Sequence, residues 1–221
     1  MQLLTSSGTI YTVGKGSEEY KSLAKLVSES YLSIHKAHIE PTPDEFVAMQ
    51  VSNFSKEDFA GAYGVTYPKF GSLFSEKYID HSIEMIASEF AGTEIVRSQI
   101  CEIGSFSSFG YKTAAYKLLE TLPQILWSKG MKFTLVTLTP VVEKIINKLG
   151  YIYHPIGVAD ISKLPMEQRH KWGSYYDHRP TVFLVDILAS AQSTLPLQFG
   201  RFNIDVIKIN EPVSQKLLSA A

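Results

Sequence analysis

The run IVRSQICEIGSF (95–106) sets one carboxylate, Glu102, among residues that otherwise bury well, and the chain then breaks at SSFG (107–110). A carboxylate inside an apolar strand must be paired, protonated or turned toward a cleft, because isolated buried charge is costly. Two roles fit: an ion-pair partner for Arg97 or a nearby lysine, or a general base whose pKa is raised by burial. Arg97 is equally a candidate for substrate contact. Beyond Glu102, the small residues Ser105, Ser107, Ser108 and Gly110 lead into an apolar-periodic stretch with Lys112 in its first turn. A helix N-terminus offers unpaired N–H groups and a positive dipole end, which suit a phosphate. The segment carries neither GxGxxG nor GK[ST], so an ordinary polar turn remains the competing reading.

Cys101 alternates with Glu102 and therefore points to the opposite face of the strand, where it reads as a small buried hydrophobe. The six histidines show no HExxH and no paired ligand spacing, and no metal is expected. His35 and His38 sit at a helix end beside prolines and read as a solvated loop. The segment WGSYYDHRPTV (172–182) concentrates Trp172, Tyr175 and Tyr176 among charges. Such aromatics either anchor a helix to a sheet or border a substrate, with His170 and His178 beside them, while Gly173 marks a turn.

These residues need strands and helices to hold them. Strands are expected at 8–14, 58–68, 72–80, 93–106, 132–139, 151–160 and 181–187. Helices are expected at 17–35 (Ser17 as N-cap), 81–90, 110–130 and 140–150. A charged aromatic helical stretch follows at 164–178, and Pro123 should kink or split the 110–130 helix. The segment around Pro41 and Pro43 reads as a loop or short helix, and 202–210 as a further strand. Strands that first follow one another and then alternate with helices predict an α/β fold with a mixed sheet. The division is one domain over 1–187 and a C-terminal extension over 188–221.

A net charge of −1 without basic runs argues against a nucleic-acid binder. One cysteine excludes an internal disulfide framework. No window approaches the ~18 apolar residues of a membrane span, and the start lacks a secretory pattern, so a cytoplasmic protein without an integral membrane segment is expected.

The order of a long strand, a small-residue loop, a helix, a buried strand and a short helix ending NKLGY (147–151) resembles the GNAT-type N-acetyltransferase core. LFSEKYIDHSIE (73–84), CEIGSFSS (101–108), TLTPVVEKIINKLGY (137–151) and above all WGSYYDHRPTV resemble the thermostable haemolysin family over roughly residues 17–187. That family is similar in architecture to N-acetyltransferases and acyl-homoserine-lactone synthases. The resemblance implies a single GNAT-like α/β domain, a mixed central β-sheet flanked by helices. It implies acyl transfer from a thioester of coenzyme A or phosphopantetheine, the latter on an acyl carrier protein, to a small-molecule amine. Glu102 would be the general base, with backbone around Ile103 and Ser105 polarising the thioester carbonyl. Ser107, Ser108, Gly110 and Lys112 would hold the donor phosphate; Arg97, Trp172, Tyr175 and Tyr176 would border the substrate. Ser107 and Lys112 depart from the N-acetyltransferase phosphate-loop pattern, Ile146 stands where a tyrosine is frequent, and Ser105 replaces a frequent asparagine. The departures imply unusual handling of coenzyme A. The family name implies instead a membrane-acting cytolysin, and a non-catalytic binding module on the same fold is the third reading.

Overall fold

A computed structural model describes residues 8–51, 59–68, 71–198 and 204–209. The strands are β1 (Gly8–Gly14), β2 (Glu45–Val51), β3 (Phe59–Thr66), β4 (Ile100–Ser107), β5 (Phe133–Leu138), β6 (Tyr153–Val158), β7 (Thr181–Asp186) and β8 (Ile204–Ile209). They form one sheet in the order β6-β7-β5-β4-β3-β2-β1-β8. Among the described strands β4/β5 and β1/β8 pair in parallel and the other neighbours antiparallel, so the sheet is mixed.

The helices are α1 (Glu18–His35), α2 (Ile83–Ala91), α3 (Lys112–Ser128), α4 (Pro140–Lys148), α5 (Met166–Arg169) and α6 (Ile187–Gln198). Alternation along the strands separates two faces. Cys101, Ile103, Val136 and Val185 point to the face covered by α3 and α4, where Leu118, Leu122 and Ile146 complete a core. Ile100, Leu135, Val182 and Leu184 point to the other face and pack against α2 and the 3₁₀ turn Phe74–Tyr78. On that same face α1 buries Leu23 and Val27 against Phe46, Ala48 and Ala62.

Local signals explain most of the elements. Ser17 accepts the Tyr20 N–H at 3.1 Å and caps α1, with Glu18 and Glu19 favouring the positive dipole end. α4 starts at Pro140, whose missing N–H costs nothing there, and the chain leaves it through Gly150 at φ 79°. Pro123 does not split α3, which runs unbroken from Lys112 to Ser128. Its ring frees the carbonyl of Leu119, four residues back, and the Tyr151 hydroxyl donates to that carbonyl.

Several elements differ from the sequence expectation: β4 starts only at Ile100, the 164–178 stretch breaks into short helical turns, and α6 was not expected. Residues 74–78 form a 3₁₀ turn instead of a strand, because Glu102 and Glu76 take up the N–H groups of Leu73, Phe74 and Ser75. Residues 45–51, next to the two prolines, form β2 between β1 and β3. Beyond residue 187, α6 follows β7 directly and β8 lies beside β1. Among the described residues no helix is long and apolar enough to cross a membrane.

Candidate functional site

β4 and β5 pair only from Ile100↔Phe133 to Ile103↔Val136, although β4 continues to Ser107 and β5 to Leu138. Past Ile103 the two parallel strands separate. On its other side β4 bulges: Ala62 faces Ser107 and Gly64 faces Gly104, so Ser105 and Phe106 oppose Tyr63 alone. Ser105 reaches φ 56° at this point, which is uncommon for a non-glycine residue. A bulge removes a residue from the ladder and re-aims backbone groups, and bulges of this kind concentrate at functional sites.

A cavity of about 710 Å³ occupies the opening. It reaches through the sheet. On one face it is walled by Leu119, Leu122, Ile146 and Tyr151; on the other by Tyr31, His35, Tyr175 and His178 of α1 and the aromatic segment. Gly104, Thr137 and the bulge residues lie between. A side-chain carbon at Gly104 would meet nothing within 4 Å, so the cleft stays open beside β4.

Of the residues singled out in the sequence, Ile103, Ser105, Ser107, Ser108, Lys112 and Tyr175 line this cavity. Glu102, Arg97, Gly110, Trp172 and Tyr176 are not among its lining residues. Glu102 is 7% exposed. Its carboxylate accepts the Phe74 N–H at 2.6 Å, the Ser75 N–H at 2.9 Å and the Ser75 hydroxyl at 2.5 Å. Burial pushes its pKa up, against those three hydrogen bonds, which pull it down. Arg97 does not pair with Glu102. It clamps Glu76 at 2.6 and 2.9 Å and Glu84 at 2.8 Å, fixing the turn and α2 instead.

The Ser75 hydroxyl also lies 2.7 Å from Thr137 Oγ1. Since Ser75 gives its proton to Glu102, Thr137 must be the donor in that second bond. A chain of two hydroxyls thus joins the cavity wall to the buried carboxylate. Neither Ser75 nor Thr137 carries a sequence signal, and only the register Glu102↔Leu135, which puts Thr137 on the Glu102 face, brings them together.

At the phosphate-loop position, Phe109 and Gly110 take φ 42° and 88° before α3, and no side chain caps that helix. The Ser107 hydroxyl donates to Ser30 Oγ at 2.5 Å, tying the loop to α1.

The aromatic segment acts through contacts on two sides. Trp172 packs on Phe74 at 5.5 Å between ring centroids, and the Tyr176 and Tyr78 hydroxyls are hydrogen-bonded, which secures the turn that holds Glu102. Gly173, at φ 50°, meets the end of α1: an added side-chain carbon would sit 2.1 Å from the His35 carbonyl oxygen. That carbonyl accepts from Ser174 N at 2.7 Å and Ser174 Oγ at 3.1 Å, and His38 N donates to Lys171 O at 2.6 Å. His35 is therefore part of the cavity wall and not a solvated loop residue. Cys101 is buried on the opposite face, its thiol raised to about 12 by burial. No group of three or more His, Cys, Asp or Glu side chains placed for a metal ion occurs among the described residues.

The family profile described as Thermostable hemolysin matches residues 13–191. The chain belongs to the thermostable hemolysin family. No curated protein matches its sequence. Among solved structures, the family member is similar to the AHL synthase LasI, at 12% identity and TM-score 0.55, over 90% of this chain and 98% of that one. It is similar to the CoA-dependent acyl-homoserine lactone synthase BjaI, solved with SAM and isopentyl-CoA, at 11% identity and TM-score 0.56, over 90% and 94% of the two chains. FeeM, an N-acyl amino acid synthase from uncultured soil microbes, matches at 12% identity and TM-score 0.56, over 88% and 98%. The thermostable hemolysin chain thus has the GNAT-like fold of these synthases.

Proposed function

We propose that this chain is an N-acyltransferase that moves an acyl group from a thioester donor, acyl-coenzyme A or an acyl carrier protein, to an amine. The observation that carries the reading is the cleft between parted parallel strands, connected through Thr137 and Ser75 to a buried carboxylate of raised pKa. The acyl chain lies on the α3/α4 face against Leu119, Leu122 and Ile146, and the amine approaches from the α1 face beside Thr137. The amine nitrogen forms the new C–N bond as the C–S bond breaks. Its proton passes to Thr137 Oγ1, Thr137 passes its own to Ser75, and Ser75 passes its own to Glu102. The thiolate leaves through the open cleft and is protonated by solvent, to which Glu102 later returns its proton by the same path. Backbone N–H groups at Ile103 and Ser105 polarise the carbonyl. The loop at Ser107, Ser108 and Gly110, with Lys112, receives the donor phosphate.

The reading is supported by the fold shared with synthases whose names include CoA-dependent and N-acyl products. It is tested by thermal-shift screening of coenzyme A, acyl-coenzyme A species and acyl carrier protein, followed by turnover with an amine panel. A donor at a hundredfold excess over its Kd adds about 2.7 kcal/mol of stability. Glu102→Gln should keep donor binding and lose turnover by roughly 10²–10⁴-fold. Absence of any donor-induced shift, or full activity of Glu102→Gln, overturns it.

A further inference from the structure

The face of the cavity that receives the acceptor carries a pair of histidines. His35, the last residue of α1, and His178 have ring centroids 5.2 Å apart, and both line the cavity. Tyr31 and Tyr175 frame them, with Tyr175 at 5.3 Å and Tyr31 at 5.7 Å from the His35 ring. The position of His35 is built, not incidental: its carbonyl is held by Ser174, and Gly173 is the residue that lets the two segments meet.

His35 Nδ1 is buried and has no hydrogen-bond partner among the described residues. An N–H at that atom would be an unsatisfied buried donor, so the neutral ring carries its proton on Nε2. Nε2 is then the nitrogen free to donate to a ligand. Burial, and secondarily the neighbouring His178, lowers the pKa of His35, so both the lost solvent and the like charge are relieved if an anion enters. The charge of the wall agrees. Among the described residues no aspartate or glutamate lines the cavity, while Lys112, Lys144 and Lys148 line its α3/α4 side. Lysines therefore stand on one side of the apolar space and two imidazoles on the other, and the lysines suit the donor phosphate.

We infer that His35 and His178 form a recognition site for an anionic group on the acceptor, and that the acceptor is an amine that also bears a carboxylate. The inference rests on the acyl-transfer reading for the word acceptor, but the site itself does not. Binding pairs the carboxylate with the two imidazoles and leaves the amine to face Thr137 across the cleft.

Two measurements test it together. Histidine ring resonances of the full chain are followed by NMR during titration with free amino acids and, separately, with their methyl esters and decarboxylated amines. Carboxylates are expected to shift the His35 and His178 signals and to raise the His35 pKa by about one unit, the direction an opposite charge imposes. The esters and amines should do neither. In turnover assays the wild type should prefer the acid over its ester by at least tenfold in kcat/KM. His35→Phe/His178→Phe should abolish that preference by raising the acid's KM toward that of the ester, with donor-induced thermal stabilisation intact. Equal use of acid and ester by the wild type, or loss of both in the double variant, overturns the site. Histidine shifts without any turnover keep the site and sink the acyl-transfer reading; turnover without histidine shifts does the reverse.

Discussion

Thr137→Val isolates the proposed proton path from everything else in the cleft. Valine has nearly the same shape, so the wall of the cavity and the strand are kept. What disappears is the hydroxyl 2.7 Å from Ser75 Oγ, the hydrogen-bonded link between the cavity wall and the residue that holds Glu102. The three bonds to the Glu102 carboxylate come from Phe74 and Ser75 and remain. Ser75 still donates to Glu102, so no buried donor is orphaned, and the loss is one ordinary hydrogen bond of about 1 kcal/mol. For a chain of this size that is a fall of roughly 2–4 °C in Tm. The catalytic loss is larger. Removing a general base costs about 10²–10⁴ in rate, which at 1.36 kcal/mol per decade is roughly 3–5 kcal/mol of barrier. The assay is thiol release under saturating donor, read with a thiol-specific reagent. Cys101 is buried with a thiol raised to about 12, so the protein contributes no background while folded. KM for the donor should stay within a factor of two or so, and Thr137→Ser should retain most of the rate. A Thr137→Val enzyme within about threefold of wild type refutes the hydroxyl path.

Gly173→Ala should destabilise the fold by roughly 2–5 kcal/mol, combining about 1–2 for the positive φ with about 1–3 for the clash against the His35 carbonyl; urea denaturation checks it, and unchanged stability would show that the two segments can part. Glu76→Gln removes a negative charge that helps raise the Glu102 pKa, so the acid limb of kcat/KM against pH should move to lower pH with the plateau kept; an upward move would exclude Glu102 as the group that titrates there.

The class of fold was legible because its signals are local. The apolar run of β5, the break after Ser107 and the Pro140/Gly150 punctuation of α4 each declare themselves within a few residues. The site resisted where its cause is distant. SLFSEKYID alternates like a strand, yet Glu102, 27 residues beyond Ser75, binds its N–H groups and turns it into a 3₁₀ segment. His35 looked solvated because spacing cannot report that Ser174, 139 positions on, grips its carbonyl. Arg97 was a reasonable partner for Glu102 by proximity in sequence, but it lies in a 3₁₀ turn ahead of β4 and reaches Glu76 and Glu84 instead.

In the proposed mechanism the placement of Glu102 behind the wall lets a carboxylate serve as base while the described lining of the cavity carries no acidic side chain. A glutamate exposed in the cleft would be well solvated, would hold its proton weakly and would repel a carboxylate-bearing acceptor. Behind Ser75 it is screened from the ligand, and burial outweighs three hydrogen bonds in setting its proton affinity. Proton affinity closer to the working pH makes a better general base. In that mechanism protons arrive through two hydroxyls, so the contact of Thr137 with Ser75 matters more to the chemistry than the distance from Glu102 to the cavity.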